Sequence, residues 1–203
     1  TRNTAYWRYC RSGTIAGRIR CVSEVLRASL MKPNYKHLGM YLLAGGASGL
    51  LCRLTYTNDE IWEYVGPALV LGLMITFSGR YISGIAPRNT WFGPVILILF
   101  CLIGWFLAVE HGANGGLYLW PLESGVIGGF FVGTGLAIGW KLTRAWVAIV
   151  QTAVAGGLGG MAFAVSDFFG FEEFPLFVVW QGVVFLSIGL AIQIDLRKSS
   201  AGM

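Results

Sequence analysis

Six ionisable residues stand inside or beside the long apolar stretches of this 203-residue chain, and their side chains are the best placed to do chemistry. A charged group within hydrocarbon is costly, so such groups usually face a bundle interior, a partner or water. One hypothesis is that they form a vestibule for a cation, a proton or a zwitterionic solute. The alternative is that they are hydrated among lipid headgroups and only mark the ends of membrane spans. The six are Arg53, Glu63, Glu110, His111, Glu123 and Asp167.

Two of these residues decide between the interpretations. Glu123 lies about six residues into the fourth predicted span, and Arg53 is the one cation on the acidic side, near the end of the first span. Arg53 is a candidate ion-pair partner for one of the carboxylates, since pairing would offset part of the cost of burial.

The same region holds donor atoms that a metal ion could use, in Glu110, His111 and Glu123. A catalytic zinc usually takes three protein ligands, whereas the chain has 2 His, and His37 falls on the opposite side of the membrane. We therefore expect no metal and no cofactor. The chain also contains no GxSxG, HExxH or Walker sequence, so we predict no enzymatic activity.

The composition indicates a membrane protein. Hydrophobic residues make up 55% of the chain and charged residues 12%, with a mean hydropathy of +0.63, whereas a soluble domain is typically about 25% charged. A helix needs about 20 apolar residues to cross a bilayer. The sequence therefore predicts an all-α integral membrane bundle of six transmembrane helices. The predicted spans are residues 38–56, 61–82, 91–110, 117–140, 145–168 and 174–194.

Charge is sorted between the two sides of these spans. All Lys and Arg except Arg53 fall on one side, and all Asp and Glu except Glu24 and Asp195 fall on the other. Cationic loops are retained in the cytoplasm during insertion, so both termini are predicted to be cytoplasmic. This favours the cell inner (plasma) membrane over the mitochondrial inner membrane. The net charge of +5 is then explained without a nucleic acid partner.

The first residues differ from the rest of the chain. Residues 1–36 form a basic N-terminal arm, which is interpreted as a flexible arm, a basic amphipathic helix on the membrane surface, or a leader that precedes a native start at Met31. Residues 37–197 are predicted to form the six-span domain. Residues 198–203 are predicted to form a short cytoplasmic tail.

Glycines spaced four residues apart recur in three of the predicted spans. This spacing places small residues on one helix face, which lets a second helix dock closely. We expect these faces to pack within the bundle, in preference to a homodimer surface or a pore lining. The glycines are Gly45 and Gly49, Gly125, Gly129 and Gly133, and Gly156 and Gly160.

The chain also shows weak internal similarity. The Gly-rich segment 44–49 resembles 155–160, and Pro67, Pro121 and Pro175 are each 54 residues apart. Three helical-hairpin repeats about an axis along the membrane normal would explain this pattern, as in some transporters. Chance matching in a chain with 29 Gly is the alternative.

Two functions from different classes fit these features. The hairpin pattern and Glu123 favour a small-solute or ion transporter or channel. The near absence of charge at mid-depth favours a non-transporting accessory or assembly subunit that packs through its Gly-rich helix faces. The lipid bilayer is the expected environment, and a homo-oligomer or another membrane protein is the expected kind of partner.

Overall fold

A computed structural model describes residues 34–55, 60–85, 87, 89, 91–114, 120–169 and 174–201. In those ranges all regular structure is α-helical, as the sequence predicts. The N-terminal arm before residue 34 lies outside the described residues, as do the loop acids Asp59, Glu172 and Glu173 and the loop cation Arg88. The helices are α1 (Tyr35–Thr55), α2 (Glu60–Tyr81), α3 (Phe92–Asn114), α4 (Trp120–Trp140), α5 (Ala145–Phe169) and α6 (Phe174–Ala201).

Five of these helices are long and apolar enough to cross a membrane, by length and composition. The remaining helix, α2, contains a shorter apolar stretch, Val65–Tyr81. Pro67 lies inside α2, while Pro121 lies in the first turn of α4, where proline is tolerated because the first amides have no helical partner. The chain is therefore a multi-span, all-α membrane bundle.

The helices form a closed ring in chain order. Each packs against the helices before and after it, and α1 closes the ring against α6. Neighbours run antiparallel: the amide of Asn34, just before α1, donates to Gln193 Oε1 near the end of α6, at 3.2 Å. We call the end where α1 begins the basic end and the opposite end the acidic end. The cations at the basic end whose side chains are described are Lys36, Arg80, Lys141 and Arg144.

One helix extends beyond the predicted span. Residues 117–119, the predicted start of the fourth span, lie outside the described residues. α6 continues to Ala201, past the predicted end at 194 and through most of the segment assigned to the tail. The reason is that residues 195–201 contain neither Gly nor Pro, so nothing in the sequence stops the helix once it leaves the apolar layer.

Glycines bring α1 and α6 into close contact. A Cβ on Gly45 would lie 2.6 Å from the carbonyl oxygen of Gln181, and one on Gly49 would lie 2.6 Å from the Cα of Val178. These are backbone atoms, which cannot move aside as a side chain would. The two helices can therefore approach this closely only because residues 45 and 49 lack side chains.

The interface between α4 and α5 uses glycines from both helices. Gly125 and Gly156 face each other, because a Cβ on either would overlap the carbonyl group of the other. Gly129 faces the carbonyl of Thr152 in the same way, and Gly160 faces that of Pro121. On the same face, a Cβ on Gly133 would overlap the Thr152 hydroxyl.

The glycine pairs of α1 and α5 thus have the same role. The pair on α1 packs against α6 and the pair on α5 packs against α4, which in each case is the preceding helix in the ring. Gly104 of α3 differs, because its Cβ would lie 2.6 Å from Phe131 Cβ on α4, the helix that follows. The packing therefore resembles a repeat at two of the three hairpin junctions and departs from it at the third.

The half of the bundle near the basic end is filled by large side chains. All of them are buried, and most are fully inaccessible to solvent. They come from helices α2, α3, α4 and α6. The group includes Ile75, Leu97, Leu136, Trp140 and Ile188.

Candidate functional site

The structure brings together two of the six candidate residues. His111 in the last turn of α3 and Glu123 in the first described turn of α4 are joined by a hydrogen bond, with Nε2 to Oε2 at 2.7 Å. Their side chains are 40% and 53% exposed, respectively. A carboxylate at a helix N-terminus is also favoured by the helix dipole. Residues 115–119 lie outside the described residues, so the depth of Glu123 in its span stays a prediction.

The other candidates do not assemble into a ring of charges within the described part of the chain. Arg53 is exposed in the last turn of α1, and no described carboxylate lies within ion-pair distance of it. The cation is instead well placed for the dipole at a helix C-terminus. Glu110 is half-buried near the end of α3. For Glu63 and Asp167 the helical backbone is described and the side chains are not, so their proposed roles stay predictions.

No three His, Cys, Asp or Glu residues among those described are grouped as metal ligands. His111 and Glu123 supply two ligands at most. His37 lies at the basic end, hydrogen-bonded to Ser83 and Gln193.

A cavity of about 330 Å³ lies inside the ring of helices, in the half near the acidic end. Its walls come from α3, α4, α5 and α6, together with Leu71 of α2. It extends from Trp120, at the start of α4, to Val132, near the middle of that helix. The volume is in the range of small-molecule sites, which are mostly apolar with a few polar groups. We call this space the chamber.

One wall of the chamber is aromatic. The rings of Trp105 and Phe177 have centroids 5.8 Å apart, those of Trp105 and Trp180 6.1 Å, and those of Phe163 and Phe177 5.8 Å. The indole N–H of Trp180 donates to the carbonyl of Gly156 at 3.1 Å, which fixes the orientation of that ring. Four contacting rings therefore form a continuous surface, which we call the aromatic wall.

Small residues form much of the rest of the lining. Gly112, Gly125, Gly128 and Gly160 all border the chamber, as does Ala108. Because these residues are small, space is left open here. In the half of the bundle near the basic end, the corresponding space is filled by larger side chains.

The chamber lies next to the hydrogen bond between His111 and Glu123. Gly112 and Ser124 line the chamber and directly follow His111 and Glu123 in the chain. The Ser124 hydroxyl is buried and has no hydrogen-bond partner within the described structure. The arrangement offers an apolar and aromatic space with a hydrogen-bonded histidine and carboxylate beside it.

A separate polar cluster links three helices in the half of the bundle near the acidic end. The Gln181 amide donates to Cys52 Sγ at 2.9 Å, and that thiol donates to the Pro67 carbonyl at 3.4 Å. Gln181, Cys52 and the nearby Ser48 are fully buried. These hydrogen bonds join α6, α1 and α2, as is usual for polar side chains in membrane bundles.

Hydrogen bonds also organise the basic end. Ser83 Oγ lies 2.7 Å from the Tyr41 hydroxyl and 3.0 Å from His37 Nε2. On the other side of the ring, Asp195 Oδ1 accepts hydrogen bonds from the amides of Thr143 and Arg144, just before α5 begins. The sequence did not predict this helix cap, because a cap from a distant helix leaves no local pattern.

The residues of the aromatic wall were also missed from sequence. The available signal was the position of Trp105 and Trp180, which stand well inside their spans instead of at the interfaces where tryptophan is enriched.

No model of a known family matches the chain, and no curated protein or solved structure is similar enough to it to be counted as a match.

Proposed function

We propose that this protein is a carrier for small solutes and that the chamber is its binding site. The observation that carries the proposal is a cavity of about 330 Å³ between the helices of a membrane bundle. A binding site at the axis of a ring of transmembrane helices is the arrangement that transporters use, because opposite sides of the ring can then open in turn.

A carrier is favoured over a channel by the packing below the chamber. Channels need a continuous polar or water-filled path. Here the basic-end half is filled by buried side chains such as Leu97, Leu136 and Ile188. The chamber therefore stops near mid-depth, and a solute could pass only if helices moved.

A carrier is also favoured over an accessory subunit that packs through its glycine faces. Gly45 and Gly49 are in contact with α6, and Gly129 and Gly156 are in contact across α4 and α5. Those faces are used inside the bundle, so they offer no surface to a partner. A partner would have to bind the apolar outer surface, which holds aliphatic and aromatic side chains.

The charge distribution supports an orientation for the carrier. Lys36, Arg80, Lys141 and Arg144 lie at the end where α1 begins. By the positive-inside rule this end faces the cytoplasm, and the chamber then lies nearer the outer face of the cell inner (plasma) membrane.

The test is solute uptake by proteoliposomes after the chamber has been filled. Ala108→Phe places a ring in the chamber lining, and Leu107→Phe is the matched control, since Leu107 is 40% exposed and is not part of the lining. Radiolabelled benzyltrimethylammonium, phenylalanine and benzoate serve as cationic, zwitterionic and anionic probes. We expect uptake of at least one probe by the wild type and the control, and at least a tenfold lower rate for Ala108→Phe.

Thermal unfolding in detergent identifies any variant that does not fold, in which case Ala108→Leu replaces it. Absence of uptake for all three probes, or equal uptake by Ala108→Phe and Leu107→Phe, would overturn the proposal. The first of these results would favour the accessory subunit.

A further inference from the structure

The aromatic wall limits what the chamber can bind. Aromatic faces carry negative partial charge, and they attract a cation that lies within about 6 Å of the ring centre. Trp is the strongest of these residues, and the chamber wall includes Trp105, Trp120 and Trp180 in addition to Phe163 and Phe177. Sites built from several aromatic rings are typical of quaternary ammonium recognition.

No positive side chain competes for that surface. The residues that line the chamber include no Lys, Arg or His. The lining therefore offers aromatic surface and no formal positive charge.

The surrounding charge has the same sign. In the described helix turns at the acidic end, Arg53 is the Lys or Arg residue and five residues are Asp or Glu. Grouped charge of one sign raises the local concentration of ions of the opposite sign. The carboxylate residues are Glu60, Glu63, Glu110, Glu123 and Asp167.

Size sets the remaining limit. The chamber, at about 330 Å³, is roughly twice the ~150 Å³ apolar cavity that holds a benzene molecule. It can accept one aromatic ring and a compact ammonium group. A quaternary ammonium suits an apolar space, because its methyl groups keep water away from the charge and it has no N–H that would need a partner.

We propose that the chamber selects monovalent organic cations that combine one aromatic or similarly apolar ring with a compact ammonium group. This inference rests on the proposed function in that it names the substrate class of the same site. Binding alone tests it, so its failure and the failure of the carrier proposal can be told apart.

The experiment compares two ligands of the same shape and different charge. Benzyltrimethylammonium and its neutral carbon isostere, neopentylbenzene, are titrated into the purified protein in an uncharged maltoside detergent, with tryptophan fluorescence as the readout. The Ala108→Phe variant corrects for partitioning into micelles. We expect the wild type to bind the cation at least tenfold more tightly than the isostere, and Ala108→Phe to lose most of that binding.

A second pair of variants tests the aromatic wall directly. Trp105→Phe keeps an aromatic face and Trp105→Leu removes it. We expect the ratio of cation affinity to isostere affinity to fall about tenfold in Trp105→Leu and to be largely kept in Trp105→Phe. A purely structural role for Trp105 would change both affinities together and leave that ratio unchanged.

Equal or tighter binding of neopentylbenzene by the wild type would overturn the inference, and this comparison needs no variant. Equal binding of the cation by wild type and Ala108→Phe would also overturn it, because the site would then lie elsewhere. Cation-selective binding in detergent without uptake in proteoliposomes would support the inference and refute the carrier. Uptake of phenylalanine or benzoate, together with binding in detergent that does not prefer the cation, would support the carrier and refute the inference.

Discussion

The contact between α1 and α6 makes a quantitative prediction about two neighbouring glycines. A methyl group on Gly45 would lie 2.6 Å from the Gln181 carbonyl oxygen and 2.8 Å from Gly182 Cα, while one on Gly46 would lie 3.8 Å from Val178 Cγ1. Ordinary contact begins at 3.4 Å, so Gly45→Ala requires the helices to separate by about 0.8 Å, and Gly46→Ala requires no movement. Forcing an extra carbon into a packed interface typically costs about 1–3 kcal/mol.

Both substitutions gain the same helix propensity, about 1 kcal/mol, so it cancels in their difference. We therefore expect Gly45→Ala to be less stable than Gly46→Ala by about 1–3 kcal/mol. Reversible unfolding in mixed micelles, followed by circular dichroism, measures both free energies of unfolding. Equal stability of the two variants, or greater stability of Gly45→Ala, would refute the assignment of residue 45 to a backbone-to-backbone contact.

Two further predictions concern the basic end. Asp195→Ala removes the acceptor for the amides of Thr143 and Arg144. We therefore expect the free energy of unfolding to fall by about 0.5–2 kcal/mol. The loss should be smaller for Asp195→Asn, which keeps an oxygen acceptor. An Asp195→Ala protein as stable as wild type in detergent would show that the cap contributes nothing. Ser83→Ala leaves the hydroxyl of the fully buried Tyr41 without its partner, and we expect a cost of about 1–3 kcal/mol. The measurement is thermal unfolding of Ser83→Ala and of Ser83→Thr, which keeps the hydroxyl. Equal stability of the two variants would show that the hydrogen bond to Tyr41 does not stabilise the bundle.

The number and order of the helices could be predicted from the sequence because the signals are local. A run of about 20 apolar residues and a loop of polar ones are enough to define a span. Pro121 near the start of α4 is a local signal as well. The end of α6 was misplaced, because the helix continues past the apolar layer to Ala201, and hydropathy does not report helix beyond that layer.

The candidate site was harder to predict, since it depends on contacts between helices. The sequence identified His111 and Glu123 as candidates, but it did not indicate that they pair with each other or that both are partly exposed. It gave no indication of the chamber. A cavity is defined by what four helices leave unfilled, and Trp105 and Trp180 are 75 residues apart in the chain. Only the closed ring brings them into contact.

The chamber itself favours a binding role over simple packing. At about 24 cal/mol per Å³, an unfilled cavity of 330 Å³ corresponds to at most about 8 kcal/mol of lost packing relative to a filled core. Folded proteins are stable by only about 5–15 kcal/mol, so this is a large fraction of the total. The basic-end half of the same bundle is filled by Leu136 and Ile188, which shows that the ring of helices can be packed closely. Small residues such as Ala108 border the acidic-end half and leave it open, where a larger apolar side chain would reach into the space. A ligand that occupies this space would restore the missing contacts, and we therefore expect the chamber to be the part of the molecule on which function depends.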